Sequence, residues 1–240
     1  LEAKDAGERL GVRVLPAIEM DTEWAHELHI LGLDIDIDEP RFARALEKAR
    51  KRRGPRNFEI AERLKNVGYD ITPYLTGGTE VATRLNIALA LVAGGFAENT
   101  KVAFARYLKR GCPGYFSVER FTPEEVISLI LGAGGIPVWA HPMHGHPDVH
   151  KLSAQLKGFG LAVVEAYHPS MSEGDAEILL SIARQEKLIV TCGSDYHGAN
   201  RPGVVPGQTW RTHAALTECR AFLEARPVRP ANRKQTRGKI

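Results

Sequence analysis

Leu188-Ile189-Val190-Thr191-Cys192-Gly193-Ser194-Asp195-Tyr196-His197 decides how this chain is read. A run of apolar and β-favouring residues stops at a glycine, and a carboxylate and an imidazole follow, two positions apart. A buried strand that runs into Asp-x-His is how a parallel α/β sheet delivers ligands to the rim where its strands end. Side chains of an extended segment alternate with period two, so Asp195 and His197 would face the same way and could share one metal. A turn aspartate beside a surface histidine has the same five letters.

The pattern repeats upstream. Strands are expected at Val12–Ile18, His29–Leu33, Ile136–Ala140, Ala162–Ala166 and Leu188–Cys192, alternating in the second half with helical patterns. That alternation predicts an α/β fold with a largely parallel sheet or barrel. From Pro40 to Leu131 the periodicity is helical and no strand is expected. Helices are predicted near Pro40–Arg52, Phe58–Val67, Glu80–Ala93 and Thr100–Lys109, with breaks at Gly54-Pro55, Gly68, Thr76-Gly77-Gly78 and Gly111–Gly114. Thr122-Pro123-Glu124-Glu125 carries an N-cap, a proline suited to N1 and a capping-box glutamate. Ser172-Glu173-Gly174-Asp175 opens another helix that runs to about Gln185. The expected organisation is a sheet-forming part over 1–38, a helical insertion over 39–120, a second sheet-forming part over 121–225 and a mobile basic tail over 226–240.

Composition excludes several classes. Hydrophobic residues at 43% and charged residues at 25% of 240 are those of a folded protein with a real core, not of a disordered chain. Basic residues exceed acidic ones by 32 − 29 = 3, so net charge alone does not argue for nucleic acid. Cys112, Cys192 and Cys219 have no metal-like spacing and read as reduced thiols of a cytoplasmic protein. The longest mostly apolar stretch, Ile87–Ala97, is broken by Gly94-Gly95 and is far shorter than the roughly 20 residues of a membrane span. The opening Leu1–Leu10 is charged and amphipathic, unlike a signal peptide.

Several of the nine histidines stand at strand ends beside carboxylates: Glu19, then His26 and His29, His141-Pro142, Glu165 with His168, and Asp195 with His197. Imidazole and carboxylate together suit zinc, manganese or iron. Pro142 should hold His141 in an extended backbone, and a histidine there can equally be a hydrogen-bonded rim residue. A strand glutamate such as Glu19 must be paired or metal-bound once buried. Glu165 and His168 are three apart, so one is expected to face the site while the other supports it. His144, His146 and His150 lie in a Gly- and Pro-rich loop and are expected to be solvated.

Ala17-Ile18-Glu19-Met20, His29-Ile30-Leu31-Gly32-Leu33, Ala140-His141-Pro142, Glu165-Ala166-Tyr167-His168-Pro169 and Gly193-Ser194-Asp195-Tyr196-His197-Gly198, in this order, resemble the polymerase and histidinol phosphatase (PHP) family. The likeness is to its branch of nucleoside 3′,5′-bisphosphate phosphatases and 5′-to-3′ exoribonucleases, and it spans nearly the whole chain. It implies a distorted β/α barrel with a helical cap and two or three divalent metal ions, manganese foremost with zinc, iron or magnesium as alternatives. Glu19, His29, His141, Asp195 and His197 would be the metal ligands. His168 would be a further ligand or a contact to the substrate phosphate. Where the branch has an Arg-Pro-His segment on the phosphate, this chain has Arg84-Leu85-Asn86, so Arg84 would keep the grip with Asn86 in place of the histidine. Asp195, His197 and Arg84 would carry catalysis, and the substrate would be a small phosphate ester or a short nucleic acid.

The family's opening His-x-His and Thr-Asp-His strands do not occur ahead of Glu19, which is expected of a truncated chain or of a non-catalytic relative that binds metal and an anionic partner. A proofreading module attached to a polymerase is a further alternative, disfavoured because no polymerase segment accompanies it. The run Lys48-Ala49-Arg50-Lys51-Arg52-Arg53 with Arg56 suits nucleic acid. It equally suits a solvated helix end.

Overall fold

The structure, a computed structural model, describes residues 2–198 and 203–209 together with Thr217 and Arg220. Cys219 and the basic tail expected from Arg226 lie outside the described residues. After helix α1 (Glu2–Leu10), five strands form one mixed sheet in sequence order: β1 (Ala17–Asp21), β2 (His29–Leu33), β3 (Ile136–Trp139), β4 (Val163–Tyr167) and β5 (Ile189–Cys192). The pairs β1·β2 and β2·β3 are antiparallel, and β3·β4 and β4·β5 are parallel. Only β2 therefore opposes the rest, and one rim collects the C-terminal ends of β1, β3, β4 and β5 with the start of β2.

Alternation sorts the side chains between two faces. Ile18, Met20, Ile30, Trp139, Val164 and Ala166 join the main core with α6 (Pro123–Gly132), α7 (Val149–Gly158) and α8 (Glu173–Glu186). Ile136, Val138 and Val163, with Leu31 and Leu33, form a smaller apolar floor on the opposite face. The register shifts between Glu165 and Tyr167, and that irregularity lets Glu165 face the floor while Ala166 and Tyr167 both turn into the main core. The predicted capping box forms at Thr122/Glu125, and the helix expected to open at Ser172 starts with one as well, made with Asp175.

Between β2 and β3 the chain is helical: α2 (Pro40–Asn66), a 3₁₀ turn (Thr72–Tyr74), α3 (Gly78–Val81), α4 (Arg84–Ala93) and α5 (Thr100–Ala103), which passes into a π turn (Phe104–Leu108). These elements share a second core around Ile60, Leu64, Ile71, Ile87, Leu91 and Leu108. The helix pair expected on either side of Gly54-Pro55 is instead the single helix α2. Pro55 removes one amide donor from the ladder, but apolar positions before it (Phe42, Ala45) and after it (Ile60, Ala61, Leu64) bury one continuous stripe. Gly54 admits Glu80, whose Oε2 would lie 2.7 Å from a Cβ at that position. The single helix expected over Glu80–Ala93 is split instead, because Thr83 starts a new helix with Asn86 as its capping-box partner.

Val12–Pro16 is not strand, so Glu19 sits in the middle of β1 opposite Leu31 and not at a strand end. His141 and Asp195 depart further from expectation. Both were read as extended, and both have positive φ, 31° and 48°. Non-glycine residues rarely occupy that region outside sites where surrounding contacts impose it.

Candidate metal centre

Glu19 and Asp21 on β1, and His29 on β2, share the floor face of the sheet by their spacing of two and their register. His141 reaches them from the end of β3, where Ala140 N–H donates to His29 O at 3.2 Å. Three ligand atoms converge there. Glu19 Oε1 lies 2.9 Å from His29 Nδ1 and 3.3 Å from His141 Nε2, and the two imidazole nitrogens are 3.1 Å apart. Metal–ligand bonds of about 2.0–2.2 Å imply ligand–ligand edges of roughly 2.8–3.5 Å, so the cluster has the dimensions of one face of a coordination shell. Imidazole and carboxylate also suit borderline divalent ions. The residues fit a metal.

The electrostatics agree. Hydrogen bonds from His141 and His29 hold the Glu19 carboxyl well below the usual carboxylate range. Burial pulls the His29 pKa down, but the hydrogen bond and charge of Glu19, with Asp21 and Glu27 beyond, carry it above its ordinary 6.5. Behind the cluster, His29 Nε2 lies 3.5 Å from Glu27 and 3.9 Å from Asp21, the carboxylate–imidazole arrangement that orients a ligating histidine. Arg120 Nη1 donates to Asp21 Oδ2 at 2.6 Å.

A cavity of about 200 Å³ lies beside the cluster, lined by Glu19, His141, Glu165 and Asp195 over the apolar floor of Leu31 and Leu33. Glu165 is buried, and its Oε2 accepts a hydrogen bond from the His141 backbone N–H at 2.8 Å. Burial raises its pKa. Gly193 makes room for it, since a Cβ there would stand 2.3 Å from Glu165 Oε1.

His168 is fully buried. Its Nδ1 accepts from the Ser170 backbone N–H at 3.1 Å, a group that can only donate, so the neutral ring carries its proton on Nε2. That Nε2 has no hydrogen-bond partner and stands 3.7 Å from Asp195 Oδ2. Asp195 thus lines the cavity, whereas His197 is half exposed and its Nδ1 donates to Asp195 O at 2.8 Å, leaving Nε2 as its outward nitrogen. The two are not parallel side chains of one extended segment. The positive φ of Asp195 turns the chain between them.

His144 and His146 are not the solvated loop residues expected. The His144 ring stacks on His141 at 4.6 Å, and its Nε2 lies 2.6 Å from Ser170 Oγ. His146 packs edge-on against Trp139. Only His150 is exposed. Sequence reasoning passed over His144 because its approach depends on the path of the loop after His141. The spacing His141–Pro–Met–His144 was the available signal.

Arg84 is partly buried over the Phe104 ring and donates to Leu108 O at 2.8 Å. The amide oxygen of Asn86 is taken up by Thr83 N–H and Oγ1, both at 2.8 Å. Arg56, unassigned from the sequence except as part of a basic run, is the nearer surprise. Its guanidinium donates to Asn57 Oδ1, and the buried Asn57 amide grips Thr79 O and Ala82 O just ahead of Arg84. Burial, then the neighbouring charges of Arg84 and Arg53, lower the Arg56 pKa, and Asp21 on β1 opposes them. Arg56 is thus within electrostatic reach of Asp21.

No family model matches the chain. A 3′,5′-nucleoside bisphosphate phosphatase of Chromobacterium violaceum is 30% identical over 96% of this chain and 84% of its own length. The 5′-3′ exoribonuclease Rnm of Escherichia coli is 33% identical over 78% of this chain and 67% of its own. Among solved structures, an amidohydrolase from Chromobacterium violaceum with bound sulfate and no metal superposes with a TM-score of 0.82 at 30% identity, covering 96% of this chain and 83% of that one. With its sheet, its ligand cluster and these relatives in agreement, the chain belongs to the PHP-type family of metal-dependent phosphoesterases that includes the bisphosphate phosphatase and the exoribonuclease.

Proposed function

We propose that this protein is a metal-dependent phosphoesterase that hydrolyses phosphate esters of nucleotides or short oligonucleotides, of the nucleoside 3′,5′-bisphosphate phosphatase or 5′-3′ exoribonuclease type. The observation that carries it is the convergence of Glu19, His29 and His141 on one point at the strand rim. These three would hold the first ion, manganese foremost, and Asp195, which lines the cavity, with the half-exposed His197 would hold another. Bound ions supply the Lewis acidity that makes water a nucleophile near neutral pH and offsets charge on the phosphoryl oxygens. The rim belongs to a distorted β/α barrel, and the helical region over 39–120 is its cap. A cytoplasmic setting is part of this reading.

The side chains divide the remaining work. Arg84, with Arg56 beside it, neutralises the substrate phosphate, a role that needs no proton transfer. His168, whose Nε2 stands 3.7 Å from Asp195 Oδ2, would be a further ligand or a contact to a phosphoryl oxygen. Asp195 accepts the proton released by the attacking water. Asn86 supports the phosphate site indirectly, by capping the helix that begins at Arg84.

The test is manganese-dependent phosphate release from a nucleoside 3′,5′-bisphosphate, with Asp195→Asn expected to lower it by about 10²-fold or more. Protein that is folded and takes up manganese, yet releases no phosphate, would sink the hydrolase reading in favour of a protein that binds metal and an anionic partner.

A further inference from the structure

A second cavity, of about 420 Å³, opens on the same rim. Its walls include Trp24, His26, His146, Pro147, Lys151 and Gln155. Two short loops and the start of α7 build it, and each loop adjoins a residue of the metal cluster: the β1–β2 turn ends at His29, and the other loop leaves β3 through His141. His26 is three residues from His29, so their Cα atoms lie within about 11 Å of each other. A ligand held at the cluster by its phosphate could therefore extend into this cavity.

The lining is unlike that of the phosphate site. In the lining, His146 and His26 meet edge-on with ring centroids 6.2 Å apart, and the fully buried Trp139 supports His146 from behind at 5.6 Å. Trp24 adds an indole that is partly buried against the main core. Flat π faces accept a heteroaromatic ring of any sequence, whereas specificity for a sugar or a peptide would call for more hydrogen-bonding groups. Lys151 and Asp148, both exposed, line it with opposite charges, so charge alone does not select the ligand. The Gln155 amide can donate to and accept from the edge of a base. Burial and then the neighbouring His26 push the His146 pKa down, so the ring that faces a base is neutral at neutral pH.

The turn is also held in place before any ligand arrives. Thr22 N–H and Oγ1 both donate to Leu28 O, at 3.0 and 2.8 Å, and Thr22 and Leu28 are fully buried. Glu23 N–H donates to Phe121 O at 2.8 Å. Trp24 therefore sits on a fixed support, as a stacking platform requires.

We infer that the Trp24–His26–His146 cavity is a nucleobase subsite, which seats the base of the nucleotide whose phosphate lies at the metal cluster. The inference rests on the proposed phosphoesterase function for its biological meaning, but the subsite can be tested without turnover. Adenosine, which lacks phosphate, is titrated into the metal-free protein while the imidazole signals of the histidines are followed by NMR. Saturable shifts confined to His26 and His146, weakened in Trp24→Ala and restored in Trp24→Phe, support the subsite. Shifts absent up to the solubility limit of adenosine overturn it.

The kinetic arm compares a nucleoside 3′,5′-bisphosphate with ribose 3,5-bisphosphate. Trp24→Ala should raise KM for the nucleotide about tenfold more than for the base-free ester, the loss expected for one stacked base. Equal changes on both substrates count against the subsite. If neither ester is hydrolysed by the wild-type protein, the phosphoesterase reading fails, and the adenosine titration still decides whether the cavity takes a base.

Discussion

Glu19 and His29 titrate against each other, and the signs set a pH window for the metal-free protein. The Glu19 carboxyl is held below its ordinary 4.5 in the fold, so its stabilising contribution is complete above that pH and is lost as pH falls below it. The His29 pKa is raised above 6.5, so its contribution is present below 6.5 and is lost as pH rises through the folded value. Urea midpoints should therefore peak between these limits and fall on both sides, and Glu19→Gln should flatten both flanks. A wild-type midpoint that does not move with pH would show that the pair is uncoupled. Metal must displace the His29 proton, so affinity for manganese should rise with pH, with proton release visible by calorimetry in buffers of different ionisation enthalpy. Gly193 makes a packing prediction at the same scale. Gly193→Ala would push a methyl onto the Glu165 carboxylate, 2.3 Å away, and should destabilise by about 1–3 kcal/mol in urea titration. A change near zero would mean that Glu165 can move off the His141 backbone.

At the scale of elements, Asn57 joins α2 to α3 and to the turn that follows it. Its side chain reaches Thr79 O in α3 and Ala82 O in the turn before α4, and it braces Arg56 on its other side. Asn57→Ala leaves buried carbonyls without a donor and should lower stability by about 1–3 kcal/mol in thermal unfolding. If Arg56 grips phosphate, KM should rise by a larger factor than kcat falls. Equal changes in both would mark Asn57 as purely structural. Elements were legible where the signal is local. The short apolar runs of β2 to β5 and the helix starts at Thr122 and Ser172 need only their own neighbours. The continuity of α2 was not legible, because Gly54-Pro55 reads as punctuation, and only the stripe shared by Phe42 and Leu64 with the fit of Glu80 over Gly54 overrides it. In the site, Glu19, His29 and His141 could be read from a carboxylate and imidazoles on or beside apolar strands. His144 and Arg56 could not, since a loop path and a helix–helix contact place them.

At the scale of the whole molecule, the described residues form two main cores, and α2 reaches into both. Phe42 at the start of α2 is buried with the sheet, and Leu64 near its end is buried among the helices. Phe42→Ala should destabilise by about 3–5 kcal/mol and Leu64→Ala by about 2–5 kcal/mol. Their effects on hydrogen exchange should differ. Leu64→Ala should release the amides of Ile87–Leu91 while those of β3 and β4 stay protected, and uniform loss across both would show a single cooperative unit. The same helix has a mechanical consequence. Arg56 lies sixteen residues along α2 from Pro40, about 24 Å at 1.5 Å per residue. A swing of α2 by only about 5° around its sheet-anchored end would carry the Arg56 backbone some 2 Å, about the difference between a guanidinium in contact with a phosphate and one separated from it by water. If Arg56 grips the phosphate as proposed, the angle of α2 about Phe42 acts as the lever that sets that grip.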